Sequence, residues 1–267
     1  QISLFDKDSL VSTQNLPLGI IRLLEIIGNM KTTAEKERKL IQEIVDNELV
    51  TFRKIYLKDR KIENLIGIGK VTLILYRKIM GDGSQKDRIT VEEFNRFYEM
   101  LGRMTLDQIE ETFEINADYA NLLLPASTII RQVLEVTGAE NIWVPGTHML
   151  DGIAAEYAEE RKLLKFNHNF ANDIIVTSRN MAKRYKCHMS HIQAVESAAL
   201  QVFDSLKKYH GLKERERLLL QIAADLHSCG KFVTMRNATE YAYNIIMATE
   251  IIGLSHVERE IVANIVR

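Results

Sequence analysis

The sequence predicts an α/β domain over residues 1–163 followed by an all-α domain over residues 164–267. Three observations predict it. Short strand-like runs alternate with amphipathic stretches as far as Leu163, and from Asn169 onward only helical periodicity is present, in segments broken near Cys187, Gly211, Gly230 and Gly253. The third is composition: 46% apolar and 27% charged residues with three prolines describe a folded, helix-rich chain rather than a disordered one. A chain of 267 residues is long enough for two domains, each with its own core.

The first element is a hairpin. Ile2-Ser3-Leu4-Phe5 runs out, Asp6-Lys7-Asp8-Ser9 turns, and Leu10 to Gln14 returns. A lone hairpin is marginal in water, so it is expected to join a larger sheet. Thr33 precedes a long helix to about Tyr56, with Ala34, Leu40, Ile41, Ile44, Val45, Leu49 and Phe52 on its apolar face. Asn64 to Gly69 reads as a short strand ending in glycines, and Lys70 to Tyr76 as the start of a helix, which is a layout suited to phosphate. Thr90 with Glu93, and Thr105 with Gln108, spell capping boxes for two further helices. A helix over about Asn121 to Thr137 stops at Gly138. A buried strand from Asn141 to Val144 follows, then a helix from Thr147 to Lys162. In the second half, Leu218, Leu219, Ile222, Ala223 and Leu226 form one expected core stripe, and Val195, Ala199, Val202 and Leu206 another.

Charge and cysteine usage exclude several classes. The net charge of -1 argues against a strongly basic nucleic-acid binder. No apolar run is long enough to span a bilayer, since even Ile20 to Ile27 is broken by Arg22 and Glu25, and no signal-peptide pattern opens the chain. Cys187 and Cys229 form no CxxC pair, which fits a reduced, cytoplasmic protein. The halves differ in sign: residues 164–267 carry 14 Lys+Arg against 10 Asp+Glu, and residues 1–163 carry 21 against 26. Such asymmetry suits an anionic ligand held by the second half, the plainer alternative being a solvated basic face.

Two groups of motifs carry a resemblance. Ser3-Leu4-Phe5, Leu16-Pro17-Leu18-Gly19 and Ile21-Arg22-Leu23 stand in the first half. Ser190 to Val195, Phe203-Asp204, Tyr209 to Leu212, Arg217-Leu218-Leu219, Ala223 to His227 and Gly253-Leu254-Ser255 follow in the second. In this order they resemble the exopolyphosphatase and guanosine pentaphosphate phosphatase (Ppx/GppA) family. The resemblance implies an actin-like (ribonuclease H-like) lobe, incomplete here, and then an HD-like helical domain. It implies hydrolysis of a terminal phosphate of polyphosphate or pppGpp with Mg²⁺, and the chain reads as the C-terminal two-thirds of such a phosphatase. The catalytic glutamate and phosphate loops of the first lobe are expected before Ile2, so the chain alone is expected to be inactive. A homodimer is the default assembly.

The resemblance and the residues together nominate sites. Gly67 and Gly69 let backbone N–H groups approach phosphate at a helix N-terminus, the alternative being a turn glycine used for packing. Lys70 and Val71 stand where the family keeps glycine and threonine, so Lys70 is either a substitute point charge or the mark of a lost site. The stretch Asn141 to Gly152 matches a strand and loop that usually end in Leu-Arg-Glu-Gly. Here Leu150 replaces the arginine and Asp151 the glutamate, leaving His148 and Gly152 as candidate phosphate contacts. In metal-dependent HD phosphohydrolases a histidine and a His-Asp pair converge on metal; His191 and His227 are weak metal candidates, because Ser228 stands where the aspartate belongs. Among three basic groups, Lys231 and Arg236 are the better candidates for channel anion binding. Lys183, Arg184 and Lys186 form another group, and Lys207 to Arg217, interleaved with glutamates, reads as a helix surface. A non-catalytic relative that binds an anion or a protein partner is the rival reading, and a metal-dependent HD phosphohydrolase a weaker one.

Overall fold

The structure is a computed structural model of the chain and describes all residues except 7, 8, 17, 29–33, 58, 59, 82, 83 and 85, and the side chains of 14, 27, 34, 35, 37, 51, 55 and 56. The chain divides into two units. One comprises Leu16–Lys165; the other joins Gln1–Asn15 to Phe166–Arg267.

In the first unit a three-stranded sheet has β5 (Asn141–Trp143) at its centre. β3 (Asn64–Ile66) runs parallel to β5 with Leu65 opposite Ile142, and β4 (Arg88–Thr90) runs antiparallel to it with Ile89 opposite Ile142. Ile89 and Ile142 are buried. The organising helix is α6 (Ala117–Thr137), packed by α1 (Ile20–Gly28), α2 (Ala34–Phe52), α3 (Lys70–Met80), α4 (Val91–Leu101) and α5 (Leu106–Phe113). Its periodicity explains the role: Ala120, Leu123, Ala126 and Leu134 all face cores. The helix begins four residues before its expected start because Asn116 accepts the Tyr119 N–H at 3.1 Å, and it stops where Gly138 turns left-handed. Thr90 with Glu93 and Thr105 with Gln108 close the two expected capping boxes. Buried Tyr98 anchors this unit: Arg38 and Arg131 stack over its ring at 5.2 and 4.7 Å, and its hydroxyl meets Thr128 Oγ1 at 3.3 Å. On α2 the expected face is buried at Ile41, Val45, Leu49 and Phe52, with Arg53–Leu57 continuing as a π-helical turn. Thr33, the expected start of that helix, lies outside the described residues.

The second unit is built from α8 (Phe170–Arg184), α9 (Met189–Ser205), α10 (Lys207–His210), α11 (Glu214–Leu226), a 3₁₀ turn at Cys229–Phe232, α12 (Ala238–Ala248) and α13 (His256–Val266). Leu218, Leu219, Ile222, Ala223 and Leu226 of α11 are buried, as their spacing predicts, against Ile192, Ala242, Ile246, Val262 and Ala263. The stripe expected on α9 is corrected. Val202 and Leu206 are exposed at 58% and 46%, and the buried face of α9 is instead Ile192 and Glu196. Ile192 turns inward as part of the helical core, and Glu196 is held by the half-buried Arg179, described below.

The hairpin also departs from expectation. β1 (Ile2–Asp6) and β2 (Ser9–Gln14) pair only with each other, and β2 packs on α8. Leu4, Leu10 and Ser12 are buried, Asn180 Nδ2 donates to Val11 O at 2.5 Å, and Asn15 Nδ2 donates to Glu250 Oε2 at 2.9 Å. A two-stranded ribbon needs a partner for its apolar face, and here a helix supplies it. The expected 1–163 and 164–267 division therefore becomes a break at Lys165, with residues 1–15 grouped with the helical unit. Lys7 and Asp8, the centre of the expected turn, lie outside the described residues.

Candidate functional site

Two loops leave the same end of the central sheet. β3 and β5 are adjacent and parallel, so the chain emerging at Gly67 lies beside the chain emerging at Val144. Gly67 N–H donates to Trp143 O at 2.8 Å, extending the ladder by one step. A side chain at Gly67 would put its Cβ 2.4 Å from Thr72 Cγ2 and 3.8 Å from Val144 Cγ2, so packing alone requires a small residue there. Gly69 is different: its φ of 118° with ψ of 163° is a conformation open essentially to glycine, and nothing lies within 4 Å of where a Cβ would stand. It is the N-cap of α3, and no side chain caps that helix. The unfilled positive end of α3 thus opens into solvent beside the second loop.

In that second loop Gly146 has φ of 73°, and a Cβ added there would lie 3.9 Å from Leu73 Cδ1 of α3, an ordinary contact distance. α7 (Met149–Glu160) begins after His148, and the Asp151 carboxylate accepts the His148 N–H at 2.7 Å. The start of α7 therefore already holds an anion from within the chain. His148 and Gly152 are exposed at this turn. Lys70 is exposed with its Nζ over the Tyr119 ring at 4.7 Å, a contact worth about 0.5–1 kcal/mol, little enough to be exchanged for a phosphate. β3 and β5 thus send Gly67, Gly69 and Lys70, and the loop that leads to His148 and Gly152, out of the same end of the sheet. Around them Ile68, Met149 and Leu150 are exposed.

The other candidates lie in the helical unit. Tyr185 and Phe232 meet edge to face at 5.6 Å, which sets Lys183, Arg184 and Lys186 next to the segment carrying Lys231 and Arg236. Two basic groups separate in sequence so become one patch, and among the described residues Lys183, Lys186, Lys231 and Arg236 make no ion pair. The third group is largely neutralised: Lys207 pairs with Glu214 at 3.2 Å, Arg217 with Asp204 at 2.8 Å and Arg215 with Glu258 at 2.5 Å. The helix-surface reading of that group holds.

A buried polar network that sequence periodicity does not reveal joins α8, α9 and α11. Asp225, fully buried, accepts from Ser178 Oγ at 2.6 Å and lies 3.8 Å from Arg179 Nε. Arg179 Nη2 donates to both Glu196 oxygens at 2.9 and 3.0 Å, and Gln221 Nε2 donates to Glu196 at 2.6 Å. Burial pushes the Asp225 carboxyl up to about 6, with the Ser178 hydrogen bond opposing and Glu196 adding repulsion. The one clue was Glu196 in an otherwise apolar stretch beside Val195.

Metal ligation finds no cluster of three or more His, Cys, Asp or Glu side chains among the described residues. Mg²⁺ takes several oxygen ligands, and at the loops Asp151 Oδ2 accepts the His148 N–H. No helix among the described residues is long and apolar enough to cross a membrane.

A largely helical chain with two small sheets, glycine loops at one sheet end and a mainly helical second unit that carries the hairpin is the fold to set against known proteins. Residues 1–158 match the model of the Ppx/GppA phosphatase family, and residues 175–267 match Ppx/GppA phosphatase, domain III. The chain belongs to the Ppx/GppA phosphatase family. It is similar in fold to an exopolyphosphatase from Cytophaga hutchinsonii, with 18% identity, a TM-score of 0.50 and coverage of 59% of this chain and 52% of that one. It also matches the Aquifex aeolicus family member, with 16% identity, a TM-score of 0.46 and coverage of 58% and 49%. The chain spans about half the length of the solved relatives it matches. None of the curated proteins compared with it matches.

Proposed function

We propose that the chain is the phosphate-gripping part of a phosphoanhydride hydrolase with an actin-like α/β lobe and an HD-like helical domain, acting on inorganic polyphosphate or pppGpp. The observation that carries this reading is the pairing of the Gly67–Gly69 loop, at the uncapped start of α3, with the Val144–Gly152 loop beside it. Backbone N–H groups at 69–72 bind terminal phosphate oxygens, and Lys70 swings from Tyr119 to add a point charge. His148 and Gly152 line the opposite side. Lys231 and Arg236 of the helical unit attract a polyanion electrostatically, so affinity falls steeply with salt.

Hydrolysis would have water attack the terminal phosphorus as the bridging P–O bond breaks, with the water proton passing to a base. No residue among the five loop candidates is placed as that base, and the Mg²⁺ expected of the family enters no step assigned to residues 1–267. The engaged Asp151 carboxylate and the exposed Leu150 at the arginine position favour a second reading, a relative that binds the anion without cleaving it.

Phosphate release and equilibrium binding, measured together on the full 267-residue chain with polyphosphate and with pppGpp, test the reading. Binding that weakens with salt, and that Lys70→Ala reduces without altering the fold, is expected. Absence of binding to either anion contradicts the phosphate-gripping role. Release of phosphate by the chain alone would show that it carries a base as well.

A further inference from the structure

His191 and His227 face each other across α9 and the end of α11. Their Nε2 atoms are 3.2 Å apart and their rings meet at 5.1 Å between centroids, inclined by 61°. His191 is exposed and His227 half-buried, so solvent reaches the pair. On the far side of the second ring, His227 Nδ1 lies 2.7 Å from Ala224 O. A carbonyl only accepts, so Nδ1 carries the proton, and the Nε2 lone pair of neutral His227 points at His191. In the free protein the His191 Nε2–H donates into that lone pair. Shifting the His191 proton to Nδ1 leaves two lone pairs converging on one point.

We propose that His191 and His227 form a two-histidine site for a borderline transition-metal cation, Zn²⁺ being the type, with water completing the coordination. Three features carry this. The separation fits: two nitrogens bound to Zn²⁺ at about 2.0–2.1 Å in tetrahedral geometry lie about 3.3 Å apart, so the rings need hardly move. The outer hydrogen bond fits, because a ligating imidazole whose other nitrogen donates to a backbone carbonyl is held in the right tautomer and orientation. The support is rigid: Ile192, beside His191, and Leu226, beside His227, are fully buried in the helical core.

The donor set selects the cation. Ser228, next to His227, brings a hydroxyl where a hard cation such as Mg²⁺ or Mn²⁺ would need a carboxylate, and it is buried. Two imidazoles suit Zn²⁺, Ni²⁺ or Cu²⁺ instead. Asp225, two residues away, is engaged with Ser178 in the buried network and does not complete a catalytic hard-metal centre. The site is therefore a modest-affinity, water-open position that links α9 to α11. It is independent of the phosphate-gripping reading, since no loop residue takes part.

Calorimetric titration of the tag-free 267-residue chain with Zn²⁺, repeated with Co²⁺ while recording its visible absorption, tests the site. One equivalent of Zn²⁺ is expected, lost or weakened about tenfold or more by His191→Gln and by His227→Gln, and kept by His256→Gln, which alters an exposed histidine at the start of α13. Circular dichroism verifies that the variants stay helical. As a second readout on the unmutated chain, Zn²⁺ should shift the imidazole ¹⁵N resonances of two histidines in equal proportion to metal bound. No stoichiometric binding, binding that survives both His191→Gln and His227→Gln, or a loss that follows His256→Gln instead would each overturn the proposal.

Discussion

The sheet end of the α/β unit and the interior of the helical unit treat polar groups in opposite ways. At the loops, Gly69 leaves the start of α3 uncapped and exposed, with Ile68, Met149 and Leu150 in water around it. In the helical unit, Asp225 and Glu196 are buried and bound through Ser178, Arg179 and Gln221. The first region keeps hydrogen-bonding capacity in reserve, as a binding surface must. The second uses most of it internally, which fixes how three helices meet, and leaves Asp225 Oδ1 buried without a hydrogen-bond partner. Glycines show the same contrast: Gly69 has open space where a side chain would go, whereas a Cβ at Gly230 would lie 1.9 Å from Ala238 O and 2.5 Å from Ala242 N.

The largest effect should come from that last position. Gly230→Ala forces backbone of α12 away from the 3₁₀ turn and is expected to cost about 3 kcal/mol or more, read as a large fall in the thermal midpoint of the helical signal. A shift too small to measure would mean that the close approach is not a constraint.

Next is the buried carboxyl. Its pKa of about 6 in the fold, against an ordinary 3.8, means the folded chain binds the extra proton between those values. Stability from Asp225 is thus fully present below about pH 4 and lost as pH rises through 6, a cost of about 3 kcal/mol at neutral pH. Asp225→Asn, keeping an acceptor for Ser178, should flatten this part of the stability–pH curve and raise stability at pH 7. Glu258 has the opposite sign: the Arg215 guanidinium holds it down at about 2, so its contribution is present above the ordinary 4.5 and lost as acid is added below that. Urea titrations from pH 3 to 8 separate the two.

Gly69→Ala places a side chain in a left-handed extended conformation at a strain of about 1–3 kcal/mol, with no neighbour to clash. The expected outcome is a modest loss of stability in the α/β unit with a disproportionate loss of polyphosphate binding. Equal losses at every surface site would erase the distinction between the regions. The smallest effect belongs to α9: Val202→Ser with Leu206→Ser should change stability by no more than about 0.5 kcal/mol per site, since both side chains are exposed.

Local signals were legible where one short motif decides one structure. The capping boxes at Thr90 and Thr105, the stop at Gly138 and the α11 stripe all follow from side chains within a few residues of each other. The α9 face was not legible, because Val202 and Leu206 obey helical spacing yet are exposed, while Ile192 and Glu196 of the same helix are buried. Burying a carboxylate there depends on Arg179, 17 residues away. The hairpin failed for the same kind of reason: what covers Leu4 and Leu10 is α8, some 160 residues on. At the candidate site the sequence placed both glycine loops, and parallel pairing of β3 with β5 brings them together. It did not reveal that Asp151 fills the start of α7 or that Lys70 rests on Tyr119. Both are side-chain choices among several partners of similar energy.

The central claim is that the sheet-end loops, rather than the basic helical surface alone, grip phosphate. Hydrogen–deuterium exchange of the chain with and without polyphosphate tests it most directly, amide by amide. The account predicts slowed exchange at residues 67–72, with weaker protection at 146–152 and near Lys231. Protection confined to the helical unit, or none at 67–72 under saturating polyphosphate, would contradict it.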